Sequence, residues 1–323
     1  MSSSIAIIII NYGTSDLAIA AVESVLARRH GNHPVEVHLL DNASPGRDAA
    51  AFNHAHAEKA WGDRVRLWFE TENHGFGRGN NVVLSALAER ADPPDYVFLL
   101  NPDAQLQNEA IAILADRLDR TPAAAAAGTA IVLPSGVPVT AAFRFPSVCS
   151  EFVQAMNFGP VSRLFHDRLV SLPPDQVDGP VDWVSGASVM MRLSVLRELG
   201  GFDPDFFLYY EEVELMFRMR KIGHDILYVP KACVQHLEGA ATDIKSASIR
   251  KRKPAYWYAS WCHYHFKTRG RWGAIAAGLA WMAGAALNVP LALLRGQQRH
   301  APKEFFGDFS RQVMRPLLFR QRA

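Results

Sequence analysis

Cysteine is scarce: three in 323 residues, Cys149, Cys233 and Cys262, far apart and without paired spacing. That argues against a disulfide framework or a thiolate zinc site and fits a reducing compartment. No secretory leader is legible, because Met1-Ser-Ser-Ser passes straight into Ile5–Ile10, a run too short and without a basic flank. A cytoplasmic location is therefore expected. Internal repeats and low-complexity tracts are missing apart from five alanines, Ala123–Ala127. With 49% hydrophobic and 20% charged residues, the composition is that of an ordinary globular chain and not of a disordered one. A large excess of one charge is also missing, at +2 overall, but this conceals a division. Residues 241–323 carry 15 Lys/Arg against 3 Asp/Glu, and residues 1–240 carry 19 against 29. An acidic body with a basic tail points to an anionic surface. The body lacks interleaved aromatic and basic residues, so no nucleic-acid partner is expected and an anionic membrane is favoured.

What is present is alternation. Ile5–Ile10, Val35–Leu40, Val65–Phe69 and Tyr96–Leu100 read as strands, with Asp16–Arg29, Arg47–Ala60 and Gly79–Arg90 as helices between them. This order predicts an α/β fold around a parallel, doubly wound sheet. Thr129–Leu133 reads as a further strand after the alanine run, with Val137–Phe145 pairing back across Pro134-Ser-Gly136. A helix is expected near Cys149–Phe165, one from Glu212 to Ile222, and a strand over Tyr228–Val234.

Each early strand ends in polar residues: Asn11-Tyr12-Gly13-Thr14, then Asp41-Asn42-Ala43-Ser44, then Asn73-His74-Gly75-Phe76-Gly77-Arg78-Gly79-Asn80, then Asn101-Pro102-Asp103. In open α/β sheets ligands bind at the carboxyl ends of the strands. Together these ends read as a nucleotide cleft. Pro102 must stop its strand, which leaves Asp103 at that edge. The residues alone leave two roles for Asp103, a ligand to a hard divalent cation or the cap of a helix spanning Gln107–Arg120. The glycine-rich loop follows the third strand and carries Asn80 at its last glycine position, so it does not read as a dinucleotide fingerprint. It offers close backbone approach and N–H groups for an anion, with Arg78 as a charge facing phosphate or solvent. A second cluster gathers Trp183-Val-Ser-Gly186-Ala187, Gly200-Gly-Phe-Asp203 and Tyr210-Glu211-Glu212-Val-Glu214. Carboxylates beside the aromatic Phe206–Tyr210 run suit a sugar site with a general base. Helix-start charges and a Glu214–Arg218 ion pair are the structural alternatives.

In this order the motifs resemble the family-2 glycosyltransferases, within them the bacterial rhamnosyltransferase-like branch, over roughly residues 5–240. The resemblance rests on Asn11–Thr14, Leu40–Ser44, Asn73–Asn80, Leu100–Asp103, Trp183–Ala187, Gly200–Asp203, Tyr210–Leu215 with Arg218, and Tyr228-x-Pro-x-Ala232 leading to His236. It implies a GT-A-type catalytic domain over residues 1–240, Rossmann-like with a mostly parallel sheet and flanking helices. It also implies inverting transfer of a sugar from a nucleotide-diphosphate donor, with dTDP-rhamnose favoured over UDP-hexoses, in cell-surface polysaccharide assembly. By the same likeness Tyr12, Thr14, Asp41 and Asn42 hold base and ribose, with Asn11 also in the nucleotide site. Asn73, Gly75, Gly79, Asn80 and Asn101 lie along the nucleotide. Arg78, Trp183, Gly186, Ala187 and Tyr210 face donor sugar or acceptor. Asp103 and His236 ligate Mg2+ or Mn2+, and Glu212 is the base with Glu211 beside it. The family's usual Glu-Asp pair is Glu211-Glu212 here, which leaves the choice of base between the two open. The Gln-x-x-Arg-Trp motif of processive relatives is missing after His236, so one sugar per encounter is expected.

Residues 241–323 fall outside that likeness and are expected to form a basic, aromatic-rich helical extension. Ile249-Arg-Lys-Arg-Lys-Pro254 is followed by aromatic residues and then by Trp272–Leu294, uncharged for 23 residues. That is long enough to span a bilayer, but it is Ala/Gly-rich and contains Asn288 and Pro290. Helices lying on the inner face of the cell membrane, near a lipid-linked saccharide acceptor, are favoured. Packing on the catalytic body, or a homodimer through these helices, is the alternative. Two rival functions are weighed. A nucleotidyltransferase would want a glycine-rich phosphate loop with Lys or Arg directly after the first strand, and Asn11–Asp16 has none. A non-catalytic nucleotide-sugar-binding protein would use Glu211 and Glu212 only as helix-start charges.

Overall fold

The computed structural model describes residues 2–237 and 251–319. The boundary drawn at residue 240, and Ile249 and Arg250 of the basic cluster, lie outside them. The chain runs β1 (Ile5–Asn11), α1 (Ser15–Leu26), β2 (Val35–Asp41), α2 (Asp48–Glu58), β3 (Val65–Phe69), α3 (Gly75–Ala88), β4 (Tyr96–Leu100), β5 (Ala104–Leu106) and α4 (Ala110–Asp119). There follow β6 (Ala124–Val132), β7 (Pro138–Val139), β8 (Ala142–Phe143), α5 (Val148–Met156), α6 (Gly159–Leu164), β9 (Gly179–Val181), β10 (Trp183–Val184), β11 (Ser188–Arg192), α7 (Leu193–Leu199), α8 (Glu211–Lys221) and β12 (Asp225–His236). After residue 250 come α9 (Ala255–Leu294), α10 (Phe305–Phe309), a π-turn and α11 (Arg315–Phe319).

The main sheet has the order β3-β2-β1-β4-β11-β6-β12-β5, with β7 on β6 and β9 on β12. β3, β2, β1 and β4 are parallel, β11 runs against both β4 and β6, and β6 and β12 are parallel again. The four early strands lie where their apolar runs place them. Ile5–Ile10 is buried throughout, as a parallel strand covered on both faces must be. One hydrophobic cluster packs α1, α2 and α4 on one face of the sheet, and another packs α3, α7 and α8 on the other.

The differences have local causes. The alanine run belongs to β6 itself, with Ala124–Ala127 fully buried inside the sheet between β11 and β12. At Gly128 in the same strand, a Cβ would lie 2.5 Å from Val184 Cβ of the β8–β10 ribbon. α3 begins at Gly75 and not Gly79, so the glycine loop is the helix's first turn. The helix expected over Cys149–Phe165 is two, broken where Asn157 takes a left-handed φ of 44°.

α9 is interrupted at Gly270 (φ 69°, ψ 177°). Its second part packs on α5 so closely that a Cβ on Gly284 would sit 2.4 Å from the Phe152 carbonyl oxygen. Asn288 Nδ2 donates to the Met156 carbonyl at 3.0 Å. Packing on the body is thus realised on one face. The opposite face is a stripe of exposed apolar residues, Trp272 (78% exposed), Leu279, Leu287, Leu293 and Leu294 (85%).

Candidate active site

Strand register builds one edge. Asn11 pairs with Asp41, and Ile8 with Leu99, so the ends of β1, β2 and β4 stand level. β11 enters antiparallel with Ser188 opposite Leu100, which brings Ser185–Ala187 to the same edge, and the Asn101 N–H donates to the Ala187 carbonyl at 2.9 Å. β12 leaves with His236 opposite Ala104, bringing a residue from far along the chain against Asp103. Asp103 caps no helix. β5 intervenes, and the residue at the start of α4 is Glu109.

A cavity of about 440 Å³ opens at this edge. Of the residues singled out in the sequence, Tyr12, Asn42, Asn73, Gly75, Asn101, Asp103, Gly186, Ala187, Glu211, Glu212 and His236 line it. His236 Nε2 lies 2.9 Å from Asp103 Oδ1 and 3.4 Å from Asn101 Nδ2. A carboxylate and an imidazole nitrogen facing one space, with an amide beside them, are a donor set that fits Mn2+ or Mg2+. A second acid–imidazole group, His33, Asp116 and Asp119, has ligand atoms within 4.8 Å of one another. His33 and Asp119 bond Ser3 at the amino end of β1. That is about 20 Å along the strand from the cavity, too far to touch a ligand bound there.

Glu211 and Glu212 open α8 beneath the cavity, the first buried and the second half-buried. Each keeps its Oε2 buried without a hydrogen-bond partner. Burial pushes the Glu211 carboxyl well above the ordinary carboxylate range, and the Glu212 charge adds to the rise. Burial also raises Glu212, against its own and the Val213 backbone N–H, which favour the anion. Two such neighbours retain a proton at pH values where an exposed glutamate has lost it. Glycines make the fit: Cβ positions on Gly77 and Gly186 lie 3.4 Å from Glu211 Cβ and Glu212 Cβ. Glu214, by contrast, is structural. Its carboxylate takes Arg218 Nε at 2.9 Å, and the same guanidinium donates to the Leu199 and Gly201 carbonyls.

Other singled-out residues stand behind the cavity wall. Asn11 Nδ2 donates to Asp41, Ser44 and Asp48 at 3.0–3.1 Å, and Thr14 Oγ1 donates to Asn11 Oδ1. This network fixes the β1 and β2 ends. Asn42 in turn ties the glycine loop, donating to Asn73 Oδ1 and to the Gly75 carbonyl. Gly79 packs on Ile10 and Asn42, Asn80 Nδ2 donates to the Phe76 carbonyl, and Arg78 Nε donates to the His74 carbonyl. Trp183 stacks behind Phe143 with ring centroids 4.1 Å apart, so Phe143 and not Trp183 meets the cavity. Tyr210 turns away to Trp257 and Tyr264. Phe143 and Thr140, which the sequence did not single out, also line the site, as does Phe207. Only the aromatic run at Phe206–Tyr210 signalled any of them.

A sequence model described as glycosyltransferase-like family 2 matches residues 3–259. The chain is 32% identical over 229 residues to an N-acetylglucosaminyl-diphospho-decaprenol L-rhamnosyltransferase of Mycobacterium tuberculosis, covering 67% of this chain and 70% of that protein. It is 26% identical over 164 residues to the rhamnosyltransferase WbbL of Escherichia coli, covering 49% and 58%. Among solved structures it resembles the mannosyltransferase PcManGT from Pyrobaculum calidifontis, described in complex with GDP-Man and Mn2+. The TM-score is 0.54 at 15% identity, covering 92% of this chain and 79% of that one.

Proposed function

We propose a reaction for a chain that belongs to glycosyltransferase family 2 and has a GT-A-type fold: inverting transfer of L-rhamnose from dTDP-rhamnose to a lipid-linked saccharide. The enzyme class follows from the family. The donor and acceptor are our reading, supported by the relatives named for rhamnosyl transfer, one of them on a decaprenol-linked sugar. The observation that carries it is one cavity lined by both the Asp103–His236 pair and the Glu211–Glu212 pair.

In this reading the exposed ring of Tyr12 takes the base, and Asn42 and Asn73 hold the loop on which the nucleotide lies. Asp103 and His236 would hold a divalent cation, with Asn101 beside them. When bound, such a cation supplies positive charge to the departing diphosphate. Glu212 removes the proton from the acceptor hydroxyl, whose oxygen attacks the anomeric carbon as the bond to the diphosphate breaks on the far side. Phe143, braced by Trp183, offers a flat apolar face to a sugar ring.

The catalytic body of residues 1–240 and the basic extension divide the work. The exposed stripe of α9 carries no charge from Trp272 to Leu294, while Arg269, Arg271, Arg295 and Arg299 stand at its two ends. Apolar residues seated in lipid with arginines at headgroup level suit an anionic cytoplasmic leaflet. They suit a second copy less well, since its stripe would bring the same arginines together. Peripheral attachment would hold the cleft near a lipid-linked acceptor.

The test is nucleoside diphosphate release from a panel of dTDP-, UDP- and GDP-sugars, with a polyprenyl-diphosphate saccharide as acceptor and Mn2+ or Mg2+ varied. Acceptor-dependent release, greatest with dTDP-rhamnose, is expected, and Asp103→Ala should abolish the response to metal. Full metal response in that variant would remove Asp103 from the site, and preference for a UDP-hexose would overturn the donor.

A further inference from the structure

Tyr209 (φ 72°) and Tyr210 (φ 68°) are consecutive non-glycine residues in the left-handed region, immediately before Glu211. Such residues persist only where the surroundings over-determine them. On one side the turn is pressed against the donor loop. The Phe76 N–H donates to the Phe207 carbonyl at 3.1 Å, and a Cβ on Gly75 would lie 1.8 Å from that oxygen. On the other side α9 before Gly270 supplies a series of supports. Ser260, fully buried, donates its hydroxyl to the Leu208 carbonyl at 2.9 Å. Tyr256 packs on Phe207 at 5.5 Å and stacks on Tyr209 at 6.2 Å between centroids. Tyr210 is held between Trp257 and Tyr264. Farther along the helix, Lys267 pairs with Asp203 and Asp205 at the start of the same segment.

We propose that this part of α9 is a component of the active site, with Ser260 and Tyr256 as positioning residues that fix the Phe207–Tyr210 turn and so the seat of Glu211 and Glu212 against the donor loop. The inference rests on the reading of Glu212 as the base. The family match takes in Tyr256 but stops at residue 259, short of Ser260. The extension is then required for turnover itself, apart from any hold on a membrane.

Ser260→Ala removes one hydroxyl without changing shape. Displacing a catalytic group by about 1 Å can cost about a hundredfold, so kcat should fall at least about tenfold while the donor KM and the Kd of dTDP stay within about twofold. Ser260→Thr should restore kcat. Hydrogen exchange of amides 206–213 should rise in Ser260→Ala with β1–β4 unchanged, a readout that needs no turnover. Tyr256→Leu should reproduce both effects and decides the matter if Ser260→Ala does not fold. Unchanged kcat with unchanged exchange at 206–213 overturns the proposal, as does a parallel loss of donor affinity and folding. A wild-type chain that turns over no donor would sink the reaction proposed above, and the exchange arm would still decide the positioning role.

Discussion

Replacing Glu212 by Gln is the most direct test of the chemistry, because the structure limits what else can change. Gln has the same shape, so the close contact of Glu212 with Gly186 survives. Oε2 has no hydrogen-bond partner to lose. What disappears is a proton acceptor, together with a negative charge beside Glu211. A positioned general base contributes about 10²–10⁴-fold, which is about 2.7–5.4 kcal/mol of activation free energy. Steady-state kinetics should therefore show kcat at least about a hundredfold lower, with the donor KM and dTDP affinity nearly unchanged, the signature of an interaction used only in the transition state. The wild-type pH profile adds an independent check. Burial raises both carboxyls, and a base must be ionised to act, so kcat should climb with pH through an acid limb lying above the ordinary glutamate pKa of about 4.3. Near-normal turnover in Glu212→Gln would refute the assignment and move the base to Glu211. An acid limb at or below the ordinary value would refute the physical account of the pair.

Glu211→Gln should stabilise the fold at alkaline pH. A carboxyl raised on folding contributes stability that is fully present below its unfolded pKa and lost as pH rises through the folded one, and the glutamine has nothing to lose. The variant's Tm should exceed that of the wild type at pH 8, with the gap closing toward pH 4; equal gaps at both would contradict it. Gly75→Ala combines an unfavourable φ of +74° with a Cβ 1.8 Å from the Phe207 oxygen, so Tm should fall and the donor KM rise at least about tenfold. An unaffected variant would show that α3 and the Phe207 turn do not meet this closely. The protein should co-sediment with phosphatidylglycerol vesicles at low salt, less so at 1 M, where the Debye length is about 3 Å. Leu279→Ser with Leu293→Ser should weaken binding in both. No sedimentation at low salt would count against the membrane face.

The edge that carries the cavity was legible because two strong constraints coincide there. Strands buried on both faces must be continuous apolar runs, and Pro102 or a polar cluster must end them, so β1, β2 and β4 and the Asn11, Asp41 and Asp103 at their ends could be placed from sequence. Short elements carry no such signal. β8 and β10 are two residues each, yet they deliver Phe143 to the cavity, and their position is set by contacts remote in sequence, among them the close approach of Val184 to Gly128. Which motif residues face the ligand and which stand behind it was not legible either. Asn11 and Asp41 look like ligands in sequence, but their hydrogen bonds run to each other and to Ser44 and Asp48. Position at a strand end fixes the edge, and the partners that decide orientation are 30 to 37 residues away.

The tail shows the same limit from the opposite direction. Along Trp272–Leu294 nearly every residue is apolar, so polarity distinguishes no face, and packed and membrane-seated helices read alike. Size distinguishes them. Ala274, Ala277, Gly278, Gly284 and Ala285 face the body, where α5 and Met314 come too close for a longer side chain, while Trp272, Leu279, Leu287 and Leu293 point outward. An ordinary surface helix buries its large apolar residues and exposes its polar ones. This helix buries Ile275 and packs Trp281 on its inner face among small residues, yet leaves Trp272 and four leucines exposed, a large apolar stripe of the kind that marks an interaction surface. Packing on the body accounts for one face of this helix, and the proposed membrane contact concerns the other. Before Gly270 the same helix reaches the Phe207–Tyr210 turn through Tyr256 and Ser260. If the exposed face meets lipid, the segment that seats the enzyme and the segment proposed to position Glu212 are joined at Gly270.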